Sequence, residues 1–123
     1  MISAIGLDIV DSERIVRLLD RFGNKFAKRI LGPIEISYYS SRIDRQNYLA
    51  GRFAAKEAVI KGLGIYLKQR PAWRDIQILN DSTGRPVLQL TDALKKKLGR
   101  TQCHLSIAHE KKTAVAVAIF TEE

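Results

Sequence analysis

The sequence predicts an α+β fold, a single domain in which a small antiparallel sheet packs around one long central helix. Three observations carry that reading. Ile5-Gly-Leu-Asp-Ile-Val10 alternates as a strand does, Arg45 to Gly64 keeps an apolar stripe at helical period, and Thr113 to Phe120 sets Val115, Val117 and Ile119 against Ala114, Ala116 and Ala118. A face of alanines lets a helix approach closely, and the 45–64 helix is the longest apolar element available to lie there. Both faces of that last strand are expected to be covered. A chain of 123 residues, 46% of them hydrophobic, builds one core and not two, so residues 1–123 are read as one domain.

In chain order, residues 2 to 10 read as a strand. Asp11-Ser12 offers caps for a helix over 12–22, with Ile15, Leu18, Leu19 and Phe22 on its apolar face and Gly23 at its end. Pro33 opens a short helix over 33–40. After the 45–64 helix, Ile76-Gln-Ile-Leu79 and Val87-Leu-Gln-Leu90 form a hairpin through Asn80-Asp-Ser-Thr-Gly-Arg-Pro86, where Gly84 can take positive φ. Thr91 caps a helix to Leu98, which Gly99 closes. Cys103 to His109 and Thr113 to Phe120 make a second hairpin around Glu110-Lys-Lys112.

A formal net charge of +8 favours anionic partners at long range. Arg14, Arg17 and Arg21 line up at i, i+3 and i+7, a stripe that suits carboxylates or phosphates and equally an ordinary solvated face. A basic nucleic-acid-binding module has only the charge in its favour, since exposed-looking aromatics are scarce and no recognition motif is present. No segment approaches the roughly 20 apolar residues of a membrane span, and the start of the chain lacks a basic, then apolar leader. A soluble, cytoplasmic protein is expected, and one cysteine, Cys103, allows no internal disulfide. Cys103, His104 and His109 do not make a zinc site. On a strand the outer two lie roughly 20 Å apart, and His104 points to the other face.

Two carboxylates stand where water should be scarce. Asp8 interrupts the first strand, and Glu57 lies inside the apolar sector of the long helix. At roughly 100° per residue from Phe53, Ile60 falls near −20°, Glu57 near +40°, Lys61 near +80° and Lys56 near −60°. Lys61 then presents its ammonium beside Glu57 in the favourable i,i+4 order. The helix alone fits an ordinary surface pair as well as a site. Two buried carboxylates converging on one cleft would call for a hard cation, and so for a metal-assisted enzyme.

These motifs, Ile5-Gly-Leu-Asp-Ile-Val10 and Arg52-Phe-Ala-Ala-Lys-Glu-Ala-Val-Ile-Lys61, occur together with Arg29-Ile-Leu-Gly-Pro-Ile-Glu35, Asn80-Asp-x-x-Gly-Arg-Pro86 and His104-Leu-Ser-Ile-Ala-His109. In that order, from Ile5 to Phe120, they closely resemble the holo-[acyl-carrier-protein] synthases, a family of 4′-phosphopantetheinyl transferases. The resemblance implies that family's α+β fold and a homotrimer with coenzyme A bound between protomers. It implies transfer of the phosphopantetheine arm to a serine of an acidic apo acyl carrier protein in fatty acid biosynthesis, with release of 3′,5′-ADP. Polyketide or peptide-synthesis carriers are the alternative substrates. By position, Asp8 and Glu57 match the Mg²⁺ ligands and Lys61 the phosphate-facing lysine. Arg52, Lys56, Arg85, Pro86, His104, Ser106 and His109 match coenzyme A contacts, and Arg14, Arg17 and Arg21 the carrier-binding helix. Gly32 replaces a common threonine. Gly62-Leu-Gly64-Ile-Tyr66 replaces Gly-Thr-Gly, which is expected to put Tyr66 near the cofactor entrance.

Overall fold

The computed structural model describes residues 1–122. Its elements run β1 (Ile2–Asp11), α1 (Ser12–Phe22), α2 (Asn24–Ile30), α3 (Pro33–Ser41), α4 (Arg45–Leu63), a 3₁₀ turn (Trp73–Asp75), β2 (Ile76–Asn80), β3 (Pro86–Leu90), α5 (Asp92–Leu98), β4 (Gln102–His109) and β5 (Thr113–Thr121). The order β1-β5-β4 makes one antiparallel sheet, and β2-β3 is a separate hairpin. α4 lies across the inner face of the sheet. No described helix is long and apolar enough to cross a membrane.

The alanine face of β5 does what its size permits. Ala114, Ala116 and Ala118 are sealed against the core that α4 dominates. Two glycines bring the layers closer still. A Cβ on Gly6 of β1 would lie 1.7 Å from the Ala58 carbonyl oxygen, and one on Gly62 would lie 2.2 Å from the Phe120 ring. Phe120 is fully buried in that notch, a burial that contributes about 2–3 kcal/mol.

One buried ion pair ties the remaining elements to α4. Lys56 Nζ donates to Glu35 Oε1 at 2.5 Å, to the Ile30 carbonyl at 2.6 Å and to the Trp73 carbonyl at 3.1 Å. Glu35 also accepts the backbone N–H of Gly32 on Oε1 and of Ile78 on Oε2. Neither side chain is exposed. Burial pushes the Lys56 ammonium below the usual lysine range, against the pull of Glu35. Such a pair is tolerated because both members are saturated with hydrogen bonds.

The sequence expectations need two amendments here. Asn24–Ile30 forms a helix directly after Gly23, whose φ of 62° ends α1. Seven residues with only Ala27 and Ile30 buried leave too short a pattern to recognise. The outer face of β5 is not covered within one chain. Val115, Val117 and Ile119 are half-buried, and beside them on β1 Ile5, Leu7 and Ile9 are 61%, 59% and 69% exposed.

Candidate active site

Gly6, Asp8 and Val10 share the face of β1 turned toward α4, and the Gly6–Ala58 contact sets Asp8 against the helix segment that carries Glu57 and Lys61. Lys61 crosses the gap. Its Nζ donates to the Leu7 carbonyl at 2.8 Å and to Asp8 Oδ1 at 3.1 Å. The pairing expected along the helix, Glu57 with Lys61, does not form. Glu57 Oε1 instead accepts Arg70 Nη2 at 2.7 Å and the Trp73 indole N–H at 2.9 Å. The reason is tertiary: the 64–72 segment folds back over α4 and brings Arg70 and Trp73 to a carboxylate that helical spacing alone gives to Lys61.

Both carboxylate side chains are 16% exposed, while the Lys61 and Arg70 side chains are more than half exposed. Each acid thus spends one oxygen on protein donors, and among the described residues neither Asp8 Oδ2 nor Glu57 Oε2 accepts a hydrogen bond. Two hard oxygen donors with a spare lone pair suit a hard divalent cation. Among the described residues no third His, Cys, Asp or Glu joins them, so the rest of such a coordination shell would be water or substrate oxygen.

The chain that builds this site is similar to known proteins over nearly its whole length. The model of the 4′-phosphopantetheinyl transferase superfamily matches residues 4–119. The chain belongs to this family. It is 39% identical to the holo-[acyl-carrier-protein] synthase of Halothermothrix orenii over 99% of each chain, and 44% identical to that of Shewanella denitrificans over 96% of each. Its fold is similar to the crystal structure of the Neisseria meningitidis holo-[acyl-carrier-protein] synthase, with a TM-score of 0.91, 39% identity and 99% and 100% of the two chains covered. It is also similar to the Helicobacter pylori enzyme in complex with coenzyme A, with a TM-score of 0.83, 32% identity and 95% and 99% covered.

The other residues matched to this transferase family fall into separate groups. A cleft of about 190 Å³ between the start of α4 and the β2-β3 loop is lined by Arg42, Tyr48, Arg52, Asn80, Pro86 and His109, among others. Arg52 is anchored beneath it, with Nε on the Ile78 carbonyl at 3.2 Å, Nη2 on Asn80 Oδ1 at 3.1 Å and its guanidinium over the Tyr48 ring. Arg85 stands exposed at the rim, in a loop closed by Asp81, whose carboxylate takes the Thr83 hydroxyl and two backbone N–H groups. Those bonds, that of the Thr83 hydroxyl foremost, hold the Asp81 carboxyl below its ordinary range. At roughly 100° per residue, Arg52 and Lys61 fall on opposite sides of α4, so one chain does not bring the cleft and the carboxylates together.

His104 and Ser106 point away from that cleft. They lie on the outer face of β4, in register with Ile119 and Val117 of β5 and through them with Ile5 and Leu7. Of the three matched residues on β4, His109, at the strand end, reaches the cleft. Lys56 is corrected outright, because its three donors are spent inside the core and its ammonium has no exposed surface for coenzyme A. Tyr66 also turns inward. Its ring packs on Phe120 at 6.0 Å and its hydroxyl meets Ser3. At Gly32 a Cβ would meet the Gln77 side chain at 2.6 Å.

Arg14, Arg17 and Arg21 are exposed on α1, as the spacing requires. At its Arg14 end the stripe connects to Glu57 through two rings. Arg14 lies over the Phe53 ring at 6.0 Å, Phe53 packs on Trp73 at 5.8 Å, and Trp73 binds Glu57. Sequence reasoning missed Arg70 and Trp73 altogether. The one available signal was that Trp73 is the chain's single tryptophan.

Proposed function

We propose that this chain transfers the 4′-phosphopantetheine arm of coenzyme A to a serine of an apo acyl carrier protein of fatty acid biosynthesis. The observation that carries the reading is the Asp8–Lys61–Glu57 group at the β1–α4 contact, in a chain that belongs to the transferase family. The serine oxygen forms a bond to the phosphorus bearing the pantetheine arm. The bond from that phosphorus to the bridging oxygen breaks, 3′,5′-ADP leaves with the electron pair, and the serine proton is released. Asp8 and Glu57 would hold Mg²⁺, which when bound neutralises charge on the pyrophosphate. Lys61 spends two N–H groups on Leu7 and Asp8, and its exposed ammonium keeps a third for a phosphate oxygen.

The division of the site supports a homotrimer with shared active sites. Arg52, Arg85, Pro86 and His109 sit on the far side of α4 from the carboxylates, and a neighbouring copy would supply them. The uncovered face of Ile5, Leu7 and Ile9 is the surface by which copies would meet, since contiguous exposed apolar area marks an interface. His104 and Ser106 lie on that same face. Arg14, Arg17 and Arg21 would receive the acidic carrier, and the free Cys103 fits a cytoplasmic setting.

The deciding experiment incubates the protein with apo carrier, coenzyme A and Mg²⁺ and follows the intact mass of the carrier. A phosphopantetheine adduct that EDTA prevents is the expected result. An unmodified carrier over a range of carriers and protein concentrations would overturn the assignment.

A further inference from the structure

Glu57 is held by a run of contacts that leads into the core. Its Oε1 accepts two donors, Arg70 and Trp73, and the two differ in rigidity. Arg70 is a long side chain, 55% exposed, with many rotamers to lose. Trp73 is fixed from two directions. Its ring packs on Phe53 at 5.8 Å, and its backbone carbonyl accepts Lys56 Nζ at 3.1 Å. Lys56 is in turn locked to Glu35 and Ile30 with no exposed surface. A ligating carboxylate is oriented by whatever binds its other oxygen, and the more rigid that partner, the less order the cation must impose.

We propose that Trp73 is a positioning residue for Glu57. Its indole N–H pins Oε1 and leaves Oε2 as the ligand oxygen, while the buried Lys56–Glu35 pair fixes Trp73 from behind. The inference rests on the reading of Asp8 and Glu57 as cation ligands. It gives Lys56 a part in the site without contact with substrate, acting through the Trp73 backbone.

Trp73→Phe tests it, because an aromatic ring stays against Phe53 while the indole N–H is lost together with the second ring, whose packing loss the melting temperature reports. The readout is Mn²⁺ affinity of the protein–coenzyme A complex without carrier, from the free-ion signal in electron paramagnetic resonance. Coenzyme A affinity without metal and the melting temperature are measured beside it. The expected result is a Mn²⁺ Kd raised about 10-fold or more, with metal-free coenzyme A affinity unchanged and a melting temperature lowered by only a few degrees. Unchanged Mn²⁺ affinity in Trp73→Phe, with Glu57→Gln weakened, would overturn the role of Trp73 and leave the cation reading standing. Equal losses of Mn²⁺ affinity, coenzyme A affinity and melting temperature would reduce Trp73 to packing. Wild-type Mn²⁺ binding in both Asp8→Asn and Glu57→Gln would overturn the cation reading and this inference with it.

Discussion

Lys56 and Lys61 stand five residues apart on α4, and each reaches a carboxylate on another element. The first pair is sealed and saturated, since both oxygens of Glu35 accept backbone N–H groups and all of Lys56 is inside. The second is open, with the Lys61 side chain 53% exposed and, among the described residues, no donor on one oxygen of Asp8. One helix thus uses the same two residue types for opposite ends. Saturation leaves a charge pair with nothing to offer a ligand, and an unspent lone pair at a half-buried acid is what makes the other a site.

The largest effect that would sharpen this contrast is on stability. Lys56→Met leaves Glu35 buried and unpaired, so unfolding free energy should fall by about 3–5 kcal/mol, read as the midpoint of a urea melt. A loss below about 1 kcal/mol would show that the sealed pair is not what ties α3 and β2 to α4. Asp8→Asn should do the reverse, because its partner is exposed and gains little from the pair. Its melt should match wild type while kcat drops on the order of 10³-fold, several kcal/mol of lost phosphate stabilisation. Near-normal turnover would remove Asp8 from the site and break the comparison.

Lys61→Met should lower kcat by a smaller factor, roughly 10–100-fold, since it removes one donor and no ligand. An unchanged rate would make Lys61 no more than the neutralising partner of Asp8. The smallest effect concerns the arginine stripe. Arg17→Glu with Arg21→Glu should raise the carrier KM several-fold to about 100-fold and leave the coenzyme A KM unaltered, as like charges meet across a screened surface. Steady-state kinetics at two salt concentrations check it, and equal changes in both constants would tie α1 to the cofactor pocket.

Much of this was legible because the signals are local. The alternation of β5, the length of α4, the cap at Asp11 and the Gly84 turn each depend on residues a few positions apart, and each formed where the sequence put it. The angle of Lys56 on α4 already marked it as misplaced for a surface residue. Its partner lies 21 residues back in the chain, and no spacing rule reaches that far. The same holds for Glu57. Helical geometry offers Lys61, and only the return of the 64–72 segment and the approach of β1 reassign both side chains. The apolar residues at 5, 7 and 9 read simply as strand, and which face stays open could be told only once α4 had taken the other.

Gly6 carries a consequence for how this site can change over generations. Every missense change of a glycine codon adds at least a Cβ, and here that atom would enter the Ala58 carbonyl, a backbone group that has nowhere to retreat. Single-step mutation therefore offers no neighbouring solution. Asp8 is held two residues along the same strand, so its reach to α4 is set by a position that inheritance cannot adjust by degrees. Selection can remodel the acid, the lysine or the surrounding loop, but the spacing between strand and helix passes unchanged through any lineage that keeps this packing.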